Sequence, residues 1–367
     1  MKHDVKKIAA QFQIDGQYSA AEPYGTGHIN DTYASRYKTA DGEKRFIHQR
    51  INQNVFKNPP ELMDNVGRVT KYQREKISAA GGDPNRESLT LVPTIDDKVL
   101  LIDDEGNFWR TYLFITGAKT YDVVENLDHV FNAAKAFGQF QKLLADLPGG
   151  RLYETIPNFH NTRSRFAAFL EALKLDTKSR ACEVKDEIDF LLAREEDASV
   201  LMNLLDAGKI PERVTHNDTK FNNVMIDDKT DAGICVIDLD TTMPGLAGYD
   251  FGDLVRTGAN PGLEDEKDLS KIWLDVDMFT RITHGYLETS RDFLTDVEIE
   301  YLVFAAKLMI FENGVRFLTD HLSGDVYFKI HREGHNLDRS RTQLKLVADM
   351  ENKMDELQAI VAKFAKR

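Results

Sequence analysis

The chain has 367 residues, 42% hydrophobic and 29% charged, which is enough to bury a large core in two lobes. Its 47 Lys and Arg against 60 Asp and Glu leave a formal net charge of −13. That argues against a nucleic-acid partner, whose affinity would come largely from cations on phosphates, although a nucleotide site remains compatible with it.

Cys182 and Cys235 are the two cysteines, and they have no metal-ligand spacing. The amino terminus reads as a polar amphipathic helix, and the apolar run from Tyr301 to Phe311 is broken by Lys307. A cytoplasmic protein without a membrane partner is therefore expected.

In chain order, a short helix is expected over residues 4–15. Two strands then flank Glu22-Pro23-Tyr24-Gly25-Thr26-Gly27-His28-Ile29-Asn30, a hairpin whose glycines can lay backbone amides over phosphates. Taken alone, Gly-x-Gly is better read as a plain turn. Arg45 to Ile51 reads as a third strand, at the place where kinases usually carry a phosphate-binding Lys. Gln49 stands there instead, with Arg50 adjacent. Either the amide contacts the phosphates or the cation comes from elsewhere.

A helix from about Pro60 to Ala79 follows, then Leu91–Thr94 and the strands Val99–Ile102 and Phe108–Ile115. These patterns divide the chain into a nucleotide-binding lobe over 1–115, a hinge over 116–118 and a helical lobe over 119–367 with the catalytic loop and acceptor pocket. Backbone groups of Phe114, Ile115 and Thr116 would meet the nucleotide base, while the Phe114 and Ile115 side chains can still be core. Beyond them, apolar stripes at helical spacing run through 128–147, Phe166–Leu173, Ile188–Leu192, Leu201–Leu205 and 265–360.

The chemistry is concentrated in His216-Asn217-Asp218-Thr219-Lys220-Phe221-Asn222-Asn223. This has the form H-x-D-x-x-x-x-N of a kinase catalytic loop, in which the Asp faces the attacking hydroxyl and the Asn reaches magnesium. Val224-Met225-Ile226, a polar turn and Gly233 to Ile237 read as a hairpin that returns Asp238 beside the loop. Asp238 is the expected metal ligand, and Asp240 is a second-sphere or second-metal candidate. Asp250-Phe251-Gly252 spells the metal-binding tripeptide of protein kinases, but it lies 27 positions after Asn223 and runs into a helical pattern. Asp250 is read as an acid that caps a helix or braces the catalytic loop.

With these motifs in this order, the chain resembles the aminoglycoside phosphotransferase and choline kinase superfamily. Longer strings are similar to bacterial N-acetylhexosamine 1-kinases, among them Glu22-Pro23-Tyr24-Gly25, Val214 to Lys220, Ile237 to Gly245, Leu263 to Lys271, Arg316-Phe317-Leu318, Gly324 to Phe328 and His335 to Gln343. The resemblance spans nearly the whole chain. It implies an α+β, bilobal protein-kinase-like fold with a small β-rich N-lobe and a larger, mostly helical C-lobe.

It also implies transfer of the ATP γ-phosphoryl to the anomeric hydroxyl of N-acetylglucosamine or N-acetylgalactosamine. Asp218 would be the base, and Asn223, Asp238 and Asp240 would form the Mg2+ site. Gly25, Gly27, His28, Gln49 and residues 114–116 would hold ATP. Arg316, Tyr327, His335, Asn336 and Arg341, with His28 and Asp218, would grip the sugar, because a neutral sugar needs several donors and a flat face. The same polar residues otherwise read as an ion-pair network with Asp320, Asp325 and Glu333.

The residues alone give a hydroxyl-directed kinase. They leave open another sugar, choline or ethanolamine, an aminoglycoside or methylthioribose as acceptor, or an inactive kinase fold used for binding. Oligomeric state is not legible in the sequence.

Overall fold

A computed structural model describes residues 2–25, 27, 29–121 and 126–366. The chain forms two compact units that are not contiguous in sequence. The first comprises Met1–Lys119, Asp146–Pro157 and Val224–Met243; the second comprises Thr120–Ala145, Asn158–Asn223 and Pro244–Arg367. Two later segments thus join the amino-terminal region.

The first unit is built on an antiparallel sheet of β1 (Gln17–Pro23), β2 (Asp31–Thr39), β3 (Gly42–Arg50), β4 (Leu91–Val92), β5 (Leu101–Ile102) and β6 (Phe108–Leu113). Its order is β1-β2-β3-β6-β4, with β5 also paired to β6. Tyr33, Tyr37, Phe46, Val92 and Trp109 pack with Val5, Ile8, Ala9 and Phe12 in one buried cluster. The helix expected over 4–15 covers only Val5–Ala9. Beyond it the chain is pulled into extended pairing, as Phe12 bridges Thr94 and the Gln13 N–H donates to the Pro93 carbonyl at 2.8 Å. Sheet edge bonding here outweighs a weak local helix preference.

His48 lies inside the sheet, 2.7 Å from Ser35 Oγ and 2.8 Å from Thr111 Oγ1. Burial lowers its pKa to about 4. The helix after β3 spans Pro59–Ala79, with Asn58 capping its start and Pro in its first turn, where a missing N–H costs nothing.

A smaller sheet in the same unit holds the predicted hairpin. Val224–Asp227 pairs antiparallel with Gly233–Val236, and Ala118–Lys119 lies on its other side. The Asp227 carboxylate accepts from the Lys229 and Thr230 N–H groups, both at 2.9 Å, which fixes the turn and brings its pKa down to about 2.

The second unit is helical. Leu127–Leu144 packs on Val276–Ser290, and Leu302–Ser323 packs on Thr162–Leu175, Ala247–Gly258 and His335–Glu351. Two glycines let the first pair approach closely. A Cβ on Gly285 would sit 2.2 Å from the Phe131 carbonyl oxygen, and one on Gly138 would sit 2.5 Å from that of Tyr286. Leu302–Ser323 is buried on nearly every side, as its long apolar run suggests. No helix among the described residues is long and apolar enough to cross a membrane.

Candidate active site

The catalytic-loop octet lies in the second unit, clamped by buried groups. Asp250 is 0% exposed and stands in the first turn of Ala247–Gly258. Its carboxylate accepts from the N–H groups of His216 (2.9 Å) and Asn217 (2.7 Å) and from the Gln141 amide (2.6 Å). The Thr219 hydroxyl donates to its backbone carbonyl at 2.7 Å. Of the two readings of this acid, the structure shows the brace, since Leu246 occupies the N-cap. Burial pushes the Asp250 carboxyl up, against the pull of His216 and these donors.

Asn217 takes the left-handed backbone conformation, φ +64°, which Asn tolerates better than most residues. Gly245 passes so close that a Cβ there would lie 2.3 Å from Thr215 Oγ1 and 2.9 Å from Asn217 Oδ1. The next residue, Asp218, is half-buried. Lys220 Nζ stands 2.9 Å from its Oδ1. Asn223 Nδ2 donates to the Asp218 carbonyl at 2.9 Å and to Oδ2 at 3.3 Å.

With its nitrogen so committed, Asn223 Oδ1 is the atom available to a cation. Asp218 raises the Lys220 pKa. Beside them, Arg256 and Asp253 form a buried pair at 2.8 Å. Burial works against the Asp253 charge, but Arg256 and Lys220 outweigh it and hold its carboxyl below the usual range.

In the first unit, Val236 pairs with Val224, and two residues later Asp238 turns left-handed at φ +58°. This turn starts the short 3-10 segment Leu239–Thr241. Asp238 is exposed, while Asp240 is 2% exposed. Both Asp240 oxygens meet protein donors. Oδ1 is paired with Arg110, itself 1% exposed, and Oδ2 accepts from Asn30 Nδ2 at 2.7 Å.

Arg110 was not singled out by sequence reasoning. Register places it opposite Gln49 across β3 and β6, and Gln49 Oε1 accepts from its Nε at 3.0 Å and its Nη2 at 2.9 Å. A guanidinium from the neighbouring strand thus stands beside position 49. Burial opposes its charge, yet Asp240 and Asp238 hold the Arg110 pKa above its ordinary value. An Arg in an otherwise apolar strand was the available signal.

β1 and β2 pair as a hairpin, with Tyr24 N–H on the Thr32 carbonyl at 3.0 Å. Gly25 has φ +81°, and both Gly25 and Gly27 are exposed. His28 lies outside the described residues. Asn30 pins the loop end to Asp240 and accepts from Asn52 N–H at 3.0 Å. Ile115 is core, Thr116 is exposed, and the Phe114 ring lies 3.7 Å under the Arg45 guanidinium.

The residues expected to grip the acceptor divide into two sets. The Arg316 guanidinium is half-buried, 5.3 Å from the Phe159 ring centre and 5.5 Å from that of Phe328, and makes no hydrogen bond or ion pair among the described residues. Tyr327 is 63% exposed, with its ring 4.7 Å from Phe328. The other three are engaged internally. His335 Nε2 stands 3.0 Å from Asp265, Asn336 donates to Asp320 (2.9 Å) and Asp325 (2.8 Å), and Arg341 donates to Glu187 at 2.5 Å.

Two further residues escaped the sequence reading. His160 Nε2 is 2.9 Å from the Asn217 carbonyl, and its Nδ1 is 2.8 Å from Glu312. Glu312 sits amid the apolar run of Leu302–Ser323, which was the available signal.

The sequence model of the phosphotransferase enzyme family (APH) matches residues 21–274, from the glycine loop through Asp250. Solved structures of similar fold include the amicoumacin kinase hAmiN in complex with AMP-PNP, Ca2+ and Ami (TM-score 0.60, 14% identity, 94% of each chain). Others are a microcompartment-associated aminopropanol kinase (0.57, 14%, 96% of this chain and 98% of that one) and choline kinase from Cryptosporidium parvum Iowa II (0.55, 14%, 97% and 96%). At such identities the likeness establishes the fold, a mixed α+β kinase-like architecture. Since the family match covers more than half of the sequence, the chain belongs to the phosphotransferase enzyme family.

Proposed function

We propose that this phosphotransferase is an ATP- and Mg2+-dependent kinase whose acceptor is the anomeric hydroxyl of an N-acetylhexosamine, giving the 1-phosphate. The observation that carries the kinase reading is Asp218, presented by a loop whose backbone is held by the buried Asp250. Its carboxylate would orient the acceptor hydroxyl and take its proton as the oxygen bonds to the γ-phosphorus and the bond to the bridging oxygen breaks, with ADP leaving. Lys220 and Asn223 keep that carboxylate in one orientation.

Magnesium would supply positive charge that offsets the charge developing on the phosphates during transfer. Asn223 Oδ1 and the exposed Asp238 carboxylate would hold it. An amide and a carboxylate oxygen suit a hard cation that also keeps waters and phosphate oxygens. Asp240, with both oxygens on Arg110 and Asn30, would stand in the second sphere.

The amides of Gly25 and Gly27 would cover the phosphates, and backbone groups of 114–116 would meet the base. Gln49 would act on the phosphates through the Arg110 it holds. The hAmiN complex with AMP-PNP and Ca2+ supports a nucleotide paired with a divalent cation.

The sugar rests on the sequence resemblance, with Arg316 and Tyr327 its proposed contacts. Kinases of this fold also act on aminopropanol and choline, so an amino alcohol is the second reading. Charge favours the neutral sugar. Burial and the like charge of Arg316 both lower the Arg165 pKa, so a cationic acceptor docking at Arg316 would meet a second guanidinium group.

ADP release measured over a panel of N-acetylhexosamines and amino alcohols, with phosphorus NMR of the product, tests both readings. Turnover of amino alcohols alone would overturn the sugar. Retention of more than about a tenth of kcat by Asp218→Asn, a loss of under about 1.4 kcal/mol, would overturn the base.

A further inference from the structure

The peptide plane immediately before Asp218 is held at both ends by histidines. Its carbonyl, on Asn217, lies 2.9 Å from His160 Nε2, and its N–H, on Asp218, donates to His216 Nδ1 at 3.3 Å. Any rotation of that plane swings the Cα–Cβ bond of Asp218. The left-handed backbone of Asn217 makes such holding necessary, because that conformation persists only where its surroundings over-determine it.

The proton count at His160 is unusual. Its Nε2 faces a backbone carbonyl, which only accepts, and its Nδ1 stands 2.8 Å from Glu312 Oε1. A neutral imidazole has one donor; with Glu312 ionised, as the lowering of its pKa indicates, hydrogen bonds to both acceptors put a proton on each ring nitrogen. Glu312 matches this charge. It is 0% exposed, its Oε2 accepts from the Thr162 hydroxyl at 2.7 Å, and burial of its charge is outweighed by His160 and Arg316. The other charged and titratable groups facing this pair among the described residues are Arg316, one turn along the same helix, Arg165, Tyr249, whose ring lies 5.5 Å from that of His160, and Asp253.

We propose that His160 is a positioning residue for the phosphotransfer reaction: held as an imidazolium by Glu312, it grips the Asn217 carbonyl and thereby sets the aim of the Asp218 carboxylate. This rests on Asp218 acting as the base. It adds a second clamp, opposite in polarity to Asp250: the acid holds N–H groups of the loop, and the histidine holds a carbonyl.

Two substitutions separate the clamp from simple loss of a ring. The Gln amide nitrogen reaches the position of Nε2, so His160→Gln keeps a donor on the Asn217 carbonyl. The Asn amide nitrogen matches Nδ1, so His160→Asn keeps a donor on Glu312 and abandons the loop. With comparable melting temperatures and KM for ATP, His160→Asn is expected to lose about a hundredfold in kcat, while His160→Gln recovers most of it.

Equal kcat in the two variants, whether both near wild type or both equally low, overturns the positioning role. Nitrogen-15 NMR of histidine-labelled wild-type enzyme reads the charge without activity. Two ring N–H groups are expected on His160 at neutral pH and one in Glu312→Gln. A single N–H in the wild type overturns the imidazolium. If Asp218→Asn stays active while His160 is doubly protonated, the base assignment has failed and the ion pair stands.

Discussion

Asp250→Ala separates a structural brace from a metal ligand. The substitution removes a carboxylate that accepts from two backbone N–H groups and the Gln141 amide at 2.6–2.9 Å, at a position with no solvent access. Hydrogen bonds to a buried charge are each worth about 1.5–3 kcal/mol, so the loss would reach roughly 4–9 kcal/mol if nothing offset it.

Burial pushes the Asp250 carboxyl up, which means that part of this gain is already spent on desolvating the charge. Removing the charge returns that part. A net loss of about 3–5 kcal/mol is therefore expected, a large share of the 5–15 kcal/mol typical of a folded protein. Urea unfolding of wild type, Asp250→Ala and Asp250→Asn would measure it. The Asn variant should be intermediate, because it keeps one acceptor oxygen. Calorimetry of ATP with magnesium, run where the variants stay folded, gives the contrast. Stability within about 1 kcal/mol of wild type, together with lost magnesium-dependent binding, would refute the brace and revive the protein-kinase tripeptide.

Asp238→Ala should show the opposite pattern, near-normal stability with magnesium-dependent ATP binding abolished in the same calorimetry; normal metal binding would remove Asp238 from the site. Arg110→Leu leaves Asp240 buried opposite an apolar group and should cost about 3–5 kcal/mol. Combined with Asp240→Asn in a double-mutant cycle, it should show coupling well above about 0.5 kcal/mol, and additive losses in urea titrations would mean the two charges act independently.

His48 predicts an acid-sensitive component of stability. It is neutral when folded, and the unfolded chain binds the extra proton, so its contribution is complete above pH 6.5 and lost as pH falls toward about 4. The loss is about 3 kcal/mol. His48→Asn should therefore lose less stability than wild type between pH 7 and pH 4, and identical pH profiles would rule out the buried neutral ring.

What the sequence determined by itself is what local pattern encodes. Helical stripes such as Val130, Ala134, Phe137 and Leu144 placed Leu127–Leu144, because burying an apolar face needs only the 3.6-residue period. The octet, the polar turn and the second apolar run were legible as loop and hairpin, since turn chemistry and strand alternation act over a few residues. The helical setting of Asp250 was legible for the same reason.

Tertiary structure decided who partners whom. Arg110 meets Asp240 across 130 positions, Asn30 meets Asp240 across 210, and His160 meets Glu312 across 152. In sequence each is one polar residue in an apolar or turn-like stretch, and spacing does not reveal its complement. The first helix stops at Ala9 because a bridge to Thr94 and the Pro93 carbonyl draws Phe12 and Gln13 into extended bonding. The charge balance at Asp240 was likewise set by long-range packing, because the energy of a buried charge depends on neighbours that only the folded chain brings within reach.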